Sequence, residues 1–144
     1  MEQFLDTLRR HGITLVVDVR SRPYSRYAPH FNQRSLESHL HLTGIAYRYM
    51  GHELGGKPDN PHLHGPDGEP DYDRIERSML YRRGIDQLLP LTDRQKVALL
   101  CSEADPRQCH REKLLARTLR RQDVRVIHIF GDGSLGEQLQ GALL

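Results

Sequence analysis

Two patterns of apolar residues alternate along the chain: short apolar runs and apolar residues at helical spacing. Residues 14–19 are apolar or β-branched apart from Asp18, which predicts a strand covered on both faces. Residues 4–12 have helical spacing and end at a glycine, which predicts an amphipathic helix. The predicted elements are, in order, helix 4–12, strand 14–19, helix 33–42, strand 45–49, helix 72–89, strand 96–101, helix 109–122, strand 125–130 and helix 134–144.

This alternation predicts βαβ units and a small, mostly parallel sheet with helices on both faces. We therefore expect an α/β protein with a three-layer α/β/α fold. A length of 144 residues fits one domain that spans residues 1–144. Sheets of this kind bind ligands at the carboxyl ends of their strands. The residues that directly follow the strands are therefore the candidates for a functional site.

Residues 51–71 form a long loop between the second strand and the next helix. The loop contains five glycines, four prolines and almost no apolar residues. Loops of that length in compact domains are usually functional or disordered. We expect residues 51–56 to be ordered in the wall of a pocket. Gly55 and Gly56 would allow the backbone to approach the ligand closely, although a simple turn explains two adjacent glycines equally well. We expect residues 57–70 to be mobile or ordered only by their neighbours, as a lid would be.

Composition excludes several classes of protein. The chain has 21 Lys plus Arg against 19 Asp plus Glu, a formal charge of +2, and 37% hydrophobic residues, which fits a folded domain with a polar surface. The longest uncharged apolar runs have five residues, whereas a membrane-spanning helix needs about 20. The first residues lack the pattern of a signal peptide. We expect a cytoplasmic protein that does not contact membranes.

The first strand carries and precedes unusually polar residues. A carboxylate in an otherwise apolar strand costs several kcal/mol unless it is paired and hydrogen-bonded. Asp18 is therefore interpreted first as half of an ion pair with Arg20 or Arg111, and second as a catalytic base. Together with Asp18, the candidate ligand-binding residues here are Arg20, Arg22 and Ser25.

The third strand ends at Cys101 and is followed by further reactive side chains. A thiol near cations or a helix amino terminus ionises more readily, so Cys101 or Cys109 is the candidate nucleophile or redox thiol. Glu103 or His110 would then transfer protons. The competing interpretation of Cys101 is a small buried apolar residue. Arg111 opposes the dipole at the start of its helix, so we expect it to bind an anionic ligand, Glu103 or Asp18. The residues expected to cluster at one edge of the sheet are Asp18, Arg20, Cys101, Glu103 and Arg111.

Two other chemistries at this strand end have weaker support. Cys101 and Arg107 have the Cys-x5-Arg spacing of protein tyrosine phosphatases, but Glu103 and Asp105 would repel a phosphate. The thiols and His110 are potential zinc ligands, but the spacing lacks a Cys-x2-Cys pair. The histidines of the long loop are expected to be solvated. We therefore expect neither a metal nor a cofactor.

A set of short motifs is spread over most of the chain. They are Asp18-Val-Arg20, Pro23, Ser25, Gly44-Ile-x-Tyr47, Leu54-Gly55-Gly56, Leu99-Leu100-Cys101-x-Glu103, Pro106, Cys109-His110-Arg111, His128-Ile and Asp132-Gly133. In combination they resemble the domain of unknown function 488 family, over roughly residues 4–133. The resemblance implies a compact three-layer α/β domain from bacteria or archaea and implies no activity. Members usually begin with a strand ahead of the first helix, whereas this chain begins in that helix.

Two functional hypotheses follow from these residues. The first is a small domain that holds a polar or anionic ligand at the strand ends, through Arg20, Arg22 and Arg111, with a thiol-based activity. The alternative is a non-catalytic module that associates with nucleic acid through the basic face at residues 117–121 and the arginines of residues 20–26. Binding of that second kind would weaken steeply as salt rises.

Overall fold

The computed structural model describes residues 2–24, 29–101, 111–124, 127–129 and 135–137. The helices are α1 (Glu2–Arg10), α2 (Gln33–Leu42), α3 (Gly51–Leu54), α4 (Tyr72–Arg77), α5 (Met79–Arg94), a π-helical segment (Arg111–Ala116) and α6 (Arg117–Arg121). The strands are β1 (Leu15–Asp18), β2 (Ala46–Tyr49), β3 (Val97–Leu100), β4 (Ile127–Ile129) and β5 (Leu135–Glu137). The strands predicted at 14–19, 45–49 and 96–101 are confirmed, each to within one residue at either end.

Strands β1, β2 and β3 form one parallel sheet with β1 in the middle. At the carboxyl end of β1, Asp18 is level with Tyr49 of β2 and with Leu100 of β3. All four residues of β1 are buried, as the apolar run predicted. The residues that follow these three strands therefore meet at one edge of the sheet.

Helices cover both faces of the sheet, and successive β1 residues point to opposite sides because side chains alternate along a strand. Val16 packs with residues of α1 and α2 on one face. Val17 packs on the other face with residues of α3, α4, α5, the π-helical segment and α6. We call these the α1/α2 face and the α5/α6 face. The predicted α/β class and three-layer arrangement are confirmed.

One predicted helix is two helices in the structure. The sequence predicted a single helix over residues 72–89, but α4 ends and α5 begins at Ser78. The Ser78 hydroxyl oxygen accepts a hydrogen bond from the backbone N–H of Tyr81, at 3.3 Å, as an N-cap. Serine favours caps because its side chain competes for backbone groups. The second helix also continues through Pro90 to its last residue, Arg94.

The long loop at residues 51–71 has regular structure of its own. It opens with α3 (Gly51–Leu54), contains a single 3-10 turn at Pro61–Leu63, and closes with an antiparallel bridge between His64 and Pro70. The end of the loop is joined to its middle by the bond from the Asp71 N–H to the Leu63 carbonyl, at 2.8 Å. The predicted order of residues 51–56 thus has a structural basis, since α3 starts the loop. The mobility of residues 57–70 stays a prediction.

The end of the chain differs from its prediction. The strand expected at 125–130 is present as β4, and within the described residues it pairs antiparallel with β5. The helix expected at 134–144 is wrong for residues 135–137, which form β5. The run Leu135-Gly-Glu137 has a glycine in its centre, and glycine weakens a helix because it loses more conformational freedom on folding than any other residue. Among the described residues, no helix has the length and apolar character needed to cross a bilayer.

Candidate functional site

An ion pair lies buried at the carboxyl end of the central strand. The Arg20 Nε donates to Asp18 Oδ1 at 2.9 Å and its Nη2 donates to Asp18 Oδ2 at 2.8 Å. The Arg20 backbone N–H also donates to Oδ1, at 3.1 Å. Asp18 is 0% exposed and Arg20 is 6% exposed. The structure thus confirms the first interpretation of Asp18, and identifies Arg20 as the partner.

Tyr47 of β2 completes the coordination of the carboxylate. Its hydroxyl donates to Asp18 Oδ2 at 2.7 Å. Burial, followed by the hydrogen bond to Asp18 and the charge of Asp18, raises the pKa of the Tyr47 phenol far above its usual value, so the hydroxyl stays a donor. Asp18 therefore accepts four hydrogen bonds, about the number that an ionised carboxylate can accept. A carboxylate whose acceptor positions are filled in this way suits positioning better than proton abstraction.

The charge of Asp18 also acts on Arg20. Burial by itself lowers the pKa of a guanidinium, but the hydrogen bond and the charge of Asp18 outweigh it and raise the pKa of Arg20. Arg20 therefore remains a cation in a fixed orientation, although it is almost wholly buried. Bidentate pairing of this kind fixes geometry as well as charge.

The backbone after Arg20 is also tied down. The Tyr49 hydroxyl donates to the carbonyl oxygens of Arg20 and Ser21, at 2.9 and 3.1 Å. Burial, followed by the charge of Asp18, raises the pKa of the Tyr49 phenol. The Ser21 Oγ accepts a bond from the Lys57 N–H at 3.0 Å, which connects the strand end to the start of the long loop.

Two glycines of the loop pack directly against this strand end. A Cβ on Gly51 would collide with the Arg20 carbonyl oxygen and would lie 2.5 Å from the Tyr49 hydroxyl. A Cβ on Gly55 would collide with the Ser21 Oγ. The sequence predicted that Gly55 and Gly56 approach a ligand. The structure shows Gly55 and Gly56 buried, and shows that the close approach at Gly55 is to the strand end itself.

Cys101 lies at the same edge of the sheet as Arg20, as predicted, but on the other face. The Val19 N–H donates to the Leu100 carbonyl at 2.9 Å, which places Cys101 beside the end of β1. Its side chain is half-buried and packs with the cluster on the α5/α6 face, which includes Val19. Asp18 shares the α1/α2 face with Val16 and Tyr47. The sheet therefore separates the thiol from the carboxylate of the ion pair.

This packing leads to a prediction about the Cys101 thiol. In a Cys109→Ser variant, which leaves one thiol, we expect iodoacetamide to alkylate Cys101 more slowly in the folded protein than in concentrated urea, because the core restricts access to the sulfur. Alkylation followed by intact-mass spectrometry at several pH values measures the rate. A folded-state rate above the urea rate at neutral pH would instead identify an activated thiol.

Of the other predicted site residues, two lie within the described part of the chain. Arg22 follows Arg20 on the exposed surface, and Arg111 begins the π-helical segment. The remaining four, Ser25, Glu103, Cys109 and His110, lie outside the described residues. Among the described residues, no group of three or more His, Cys, Asp or Glu side chains could hold a metal ion.

The basic face expected at residues 117–121 is engaged within the protein. Arg117 and Arg121 contact the Glu76 carboxylate of α4 at 3.2 and 2.9 Å, and Arg117 also contacts Asp73 at 3.3 Å. The Thr118 hydroxyl donates to the other Glu76 oxygen at 2.7 Å. These contacts hold α6 against α4, so two arginines of this face already have acidic partners.

Sequence reasoning missed the two tyrosines of β2. Tyr47 and Tyr49 are two residues apart, so they project from the same face of the strand. A strand that alternates tyrosine with other residues, beside a strand that buries an aspartate, was the available signal. This signal was insufficient because the register of β2 against β1 decides which tyrosine hydroxyl reaches Asp18. That register cannot be predicted from the sequence.

The match to known proteins covers the residues of this site. The family model described as Domain of unknown function DUF488 matches residues 1–119, which include all three strands of the parallel sheet and the Asp18–Arg20 pair. No curated protein matches the chain, and no solved structure matches it. Since the family match spans most of the 144 residues, the chain belongs to the family of the domain of unknown function DUF488.

Proposed function

We propose that the carboxyl edge of the parallel sheet binds a small polar or anionic molecule, with Arg20 as its central contact. The observation that carries the proposal is the Arg20 guanidinium, which is buried and held in one orientation by Asp18 at 2.8 and 2.9 Å. Open α/β sheets bind ligands at this edge. A fixed cation loses little conformational entropy when a ligand arrives, which favours binding.

Arg20 and its neighbours contribute different properties to such a site. The Asp18–Arg20 pair is neutral as a unit, so Arg20 supplies directed hydrogen bonds more than net charge. Its Nε and Nη2 face Asp18, so the bonds to a ligand would come from Nη1. Net positive charge comes from Arg22 and Lys57, which are both exposed. Arg22 follows the end of β1, and the Lys57 N–H bonds to Ser21 at the same strand end. This combination favours an anion.

Asp18 and Tyr47 act in this proposal as positioning residues. A ligand that bound Asp18 directly would have to displace one of its four donors. Their role is to fix the guanidinium, much as outer partners orient a metal ligand. A thiol-based reaction at Cys101 is a separate proposal, and the alkylation rate tests it. Nucleic-acid association stays the alternative, although Arg117 and Arg121 already bind carboxylates.

The proposal predicts saturable binding of small anions at this edge. We would titrate the protein with orthophosphate and, separately, with malonate at constant ionic strength, and follow the arginine Nε–H signals by NMR. The Arg20 signal should shift and reach a plateau, because its guanidinium contacts the ligand. Arg22→Ala should weaken binding by up to about fivefold, since an attraction between exposed charges contributes about 0.2–1 kcal/mol.

The matched control removes an exposed arginine from the opposite edge. Arg94 is exposed and ends α5, three residues before β3 begins, so it lies at the amino end of the sheet. Arg94→Ala should leave the affinity unchanged. If the Arg20 signal does not respond to either anion, or if Arg94→Ala weakens binding as much as Arg22→Ala, the proposed site is wrong.

A further inference from the structure

His64 sits inside the long loop with both ring nitrogens directed at backbone carbonyl oxygens. Its Nε2 is 2.7 Å from the Pro58 oxygen and its Nδ1 is 3.1 Å from the Gly68 oxygen. A carbonyl oxygen only accepts, so each contact needs an N–H on the ring. A neutral imidazole has one N–H and the imidazolium has two. Both hydrogen bonds, to Pro58 and to Gly68, can therefore form together only when the ring is protonated.

We propose that His64 is a pH-dependent clip that joins the start of the long loop at Pro58 to the turn at Gly68 when the imidazole is protonated. This inference concerns the loop itself and does not depend on the ligand site proposed above. The sequence-based expectation was that the histidines of this loop are simply solvated, and it did not anticipate the clip.

The clip joins the turn at residues 65–69 to Pro58, near the point where the loop is attached to the sheet. The turn has its own bonds, from the Gly65 N–H to the Glu69 oxygen at 2.8 Å and from the Gly68 N–H to the Gly65 oxygen at 3.0 Å. The residue before Pro58 is Lys57, whose N–H bonds to Ser21 at the sheet edge. The His64 ring therefore lies between the turn and the end of the loop that is attached to the sheet.

The groups around the His64 ring favour its protonated state. The bonds to Pro58 and Gly68, followed by the charge of Glu69, raise the pKa of His64 above its ordinary value. Asp67 is next in the turn, and its Oδ1 accepts from the Glu69 N–H at 3.0 Å. On the α4 side, the cation is Arg74, which is directed at the His62 carbonyl and at Asp71. Glu69 and Asp67 thus place negative charge on the turn, whereas Asp71 at the start of α4 is paired with Arg74.

The direction of the pH effect follows from this raised pKa. A group whose pKa is higher in the folded state stabilises that state below its unfolded pKa, about 6.5 for histidine. The stabilisation is lost as the pH rises through the folded-state pKa. On deprotonation we expect the shorter bond, to Pro58, to keep the remaining proton. The Nδ1 lone pair would then face the Gly68 oxygen, and the turn would separate from the ring.

The test is an NMR titration of the whole chain, in buffer and in concentrated urea, with a variant at His62 as the control. His62 is exposed, and its contacts to Asn60 and Arg74 are made through its backbone. We expect the His64 ring to titrate at a higher pH in the folded protein than in concentrated urea. We also expect the amide signals of Gly65, Asp67 and Gly68 to shift with the His64 midpoint, and this shift to disappear in His64→Gln.

The control variant His62→Gln should keep the shift of the turn amides. Because the loop is at the surface, both variants should stay folded, and circular dichroism checks this. A His64 midpoint in the folded protein at or below its midpoint in concentrated urea would overturn the clip. So would turn amides that do not change with pH in the wild-type protein, or that change equally in His64→Gln.

Discussion

Replacing Asp18 with asparagine should lower the free energy of unfolding by about 3–5 kcal/mol, because it leaves the buried Arg20 cation without its counter-ion. The substitution keeps the size of the side chain, so it creates almost no cavity. Both oxygens of the Asp18 carboxylate accept hydrogen bonds from Arg20 and Tyr47, at 2.7 to 3.1 Å. Asparagine replaces one of these oxygens with an NH2 group, which would face donors instead of accepting from them. Urea unfolding followed by circular dichroism measures the change.

Two further variants show whether the cause is the unpaired charge. Asp86→Asn changes an exposed carboxylate of α5 and should alter stability by no more than about 0.5 kcal/mol. The double variant Asp18→Asn with Arg20→Met removes the buried charge as well, so it should be less destabilised than Asp18→Asn alone. A loss below about 1 kcal/mol for Asp18→Asn would mean that water reaches Arg20 and that the pair is not a buried one.

The parallel sheet could be predicted from the sequence because β1 and β3 are short apolar runs bounded by polar residues, and because the residues of β2 alternate in polarity. In β1 the apolar run is interrupted only by Asp18, and that one residue also indicated the ion pair. The helix break at Ser78 was missed because Tyr72 to Leu89 has apolar residues at helical spacing throughout. A cap is a local competition that spacing does not reveal.

The sequence could predict at which edge of the sheet Arg20 and Cys101 lie, but it could not predict on which face of the sheet each side chain lies. Parallel strands bring Arg20 and Cys101 to one edge whatever their relative register, so the edge followed from topology alone. The face depends on register, because a shift of one residue turns every side chain to the opposite side. In the observed register Asp18 is level with Leu100, so Cys101 shares a face with Val19 instead.

Gly51 packs closely against the end of β1, so Gly51→Ala should lower the free energy of unfolding by about 1–3 kcal/mol through overpacking. Helix propensity alone predicts the opposite sign, since alanine is better than glycine inside a helix by about 1 kcal/mol. The added Cβ would collide with the Arg20 carbonyl oxygen, and would lie 2.5 Å from the Tyr49 hydroxyl that bonds to the same oxygen. Backbone atoms cannot rotate away, so α3 would have to move off the strand end.

Gly65→Ala is the matched control for this prediction. Its Cβ would lie 3.2 Å from the Asp67 Oδ1. A small shift of this exposed side chain relieves the contact at the cost of, at most, its bond from the Glu69 N–H, so stability should change by no more than about 1 kcal/mol. Urea unfolding compares the two variants, and the Arg20 Nε–H signal reports on the strand end directly. We expect Gly51→Ala to shift that signal and Gly65→Ala to leave it in place. If Gly51→Ala is as stable as the wild type or more stable, helix propensity prevails and α3 does not depend on close contact with Arg20.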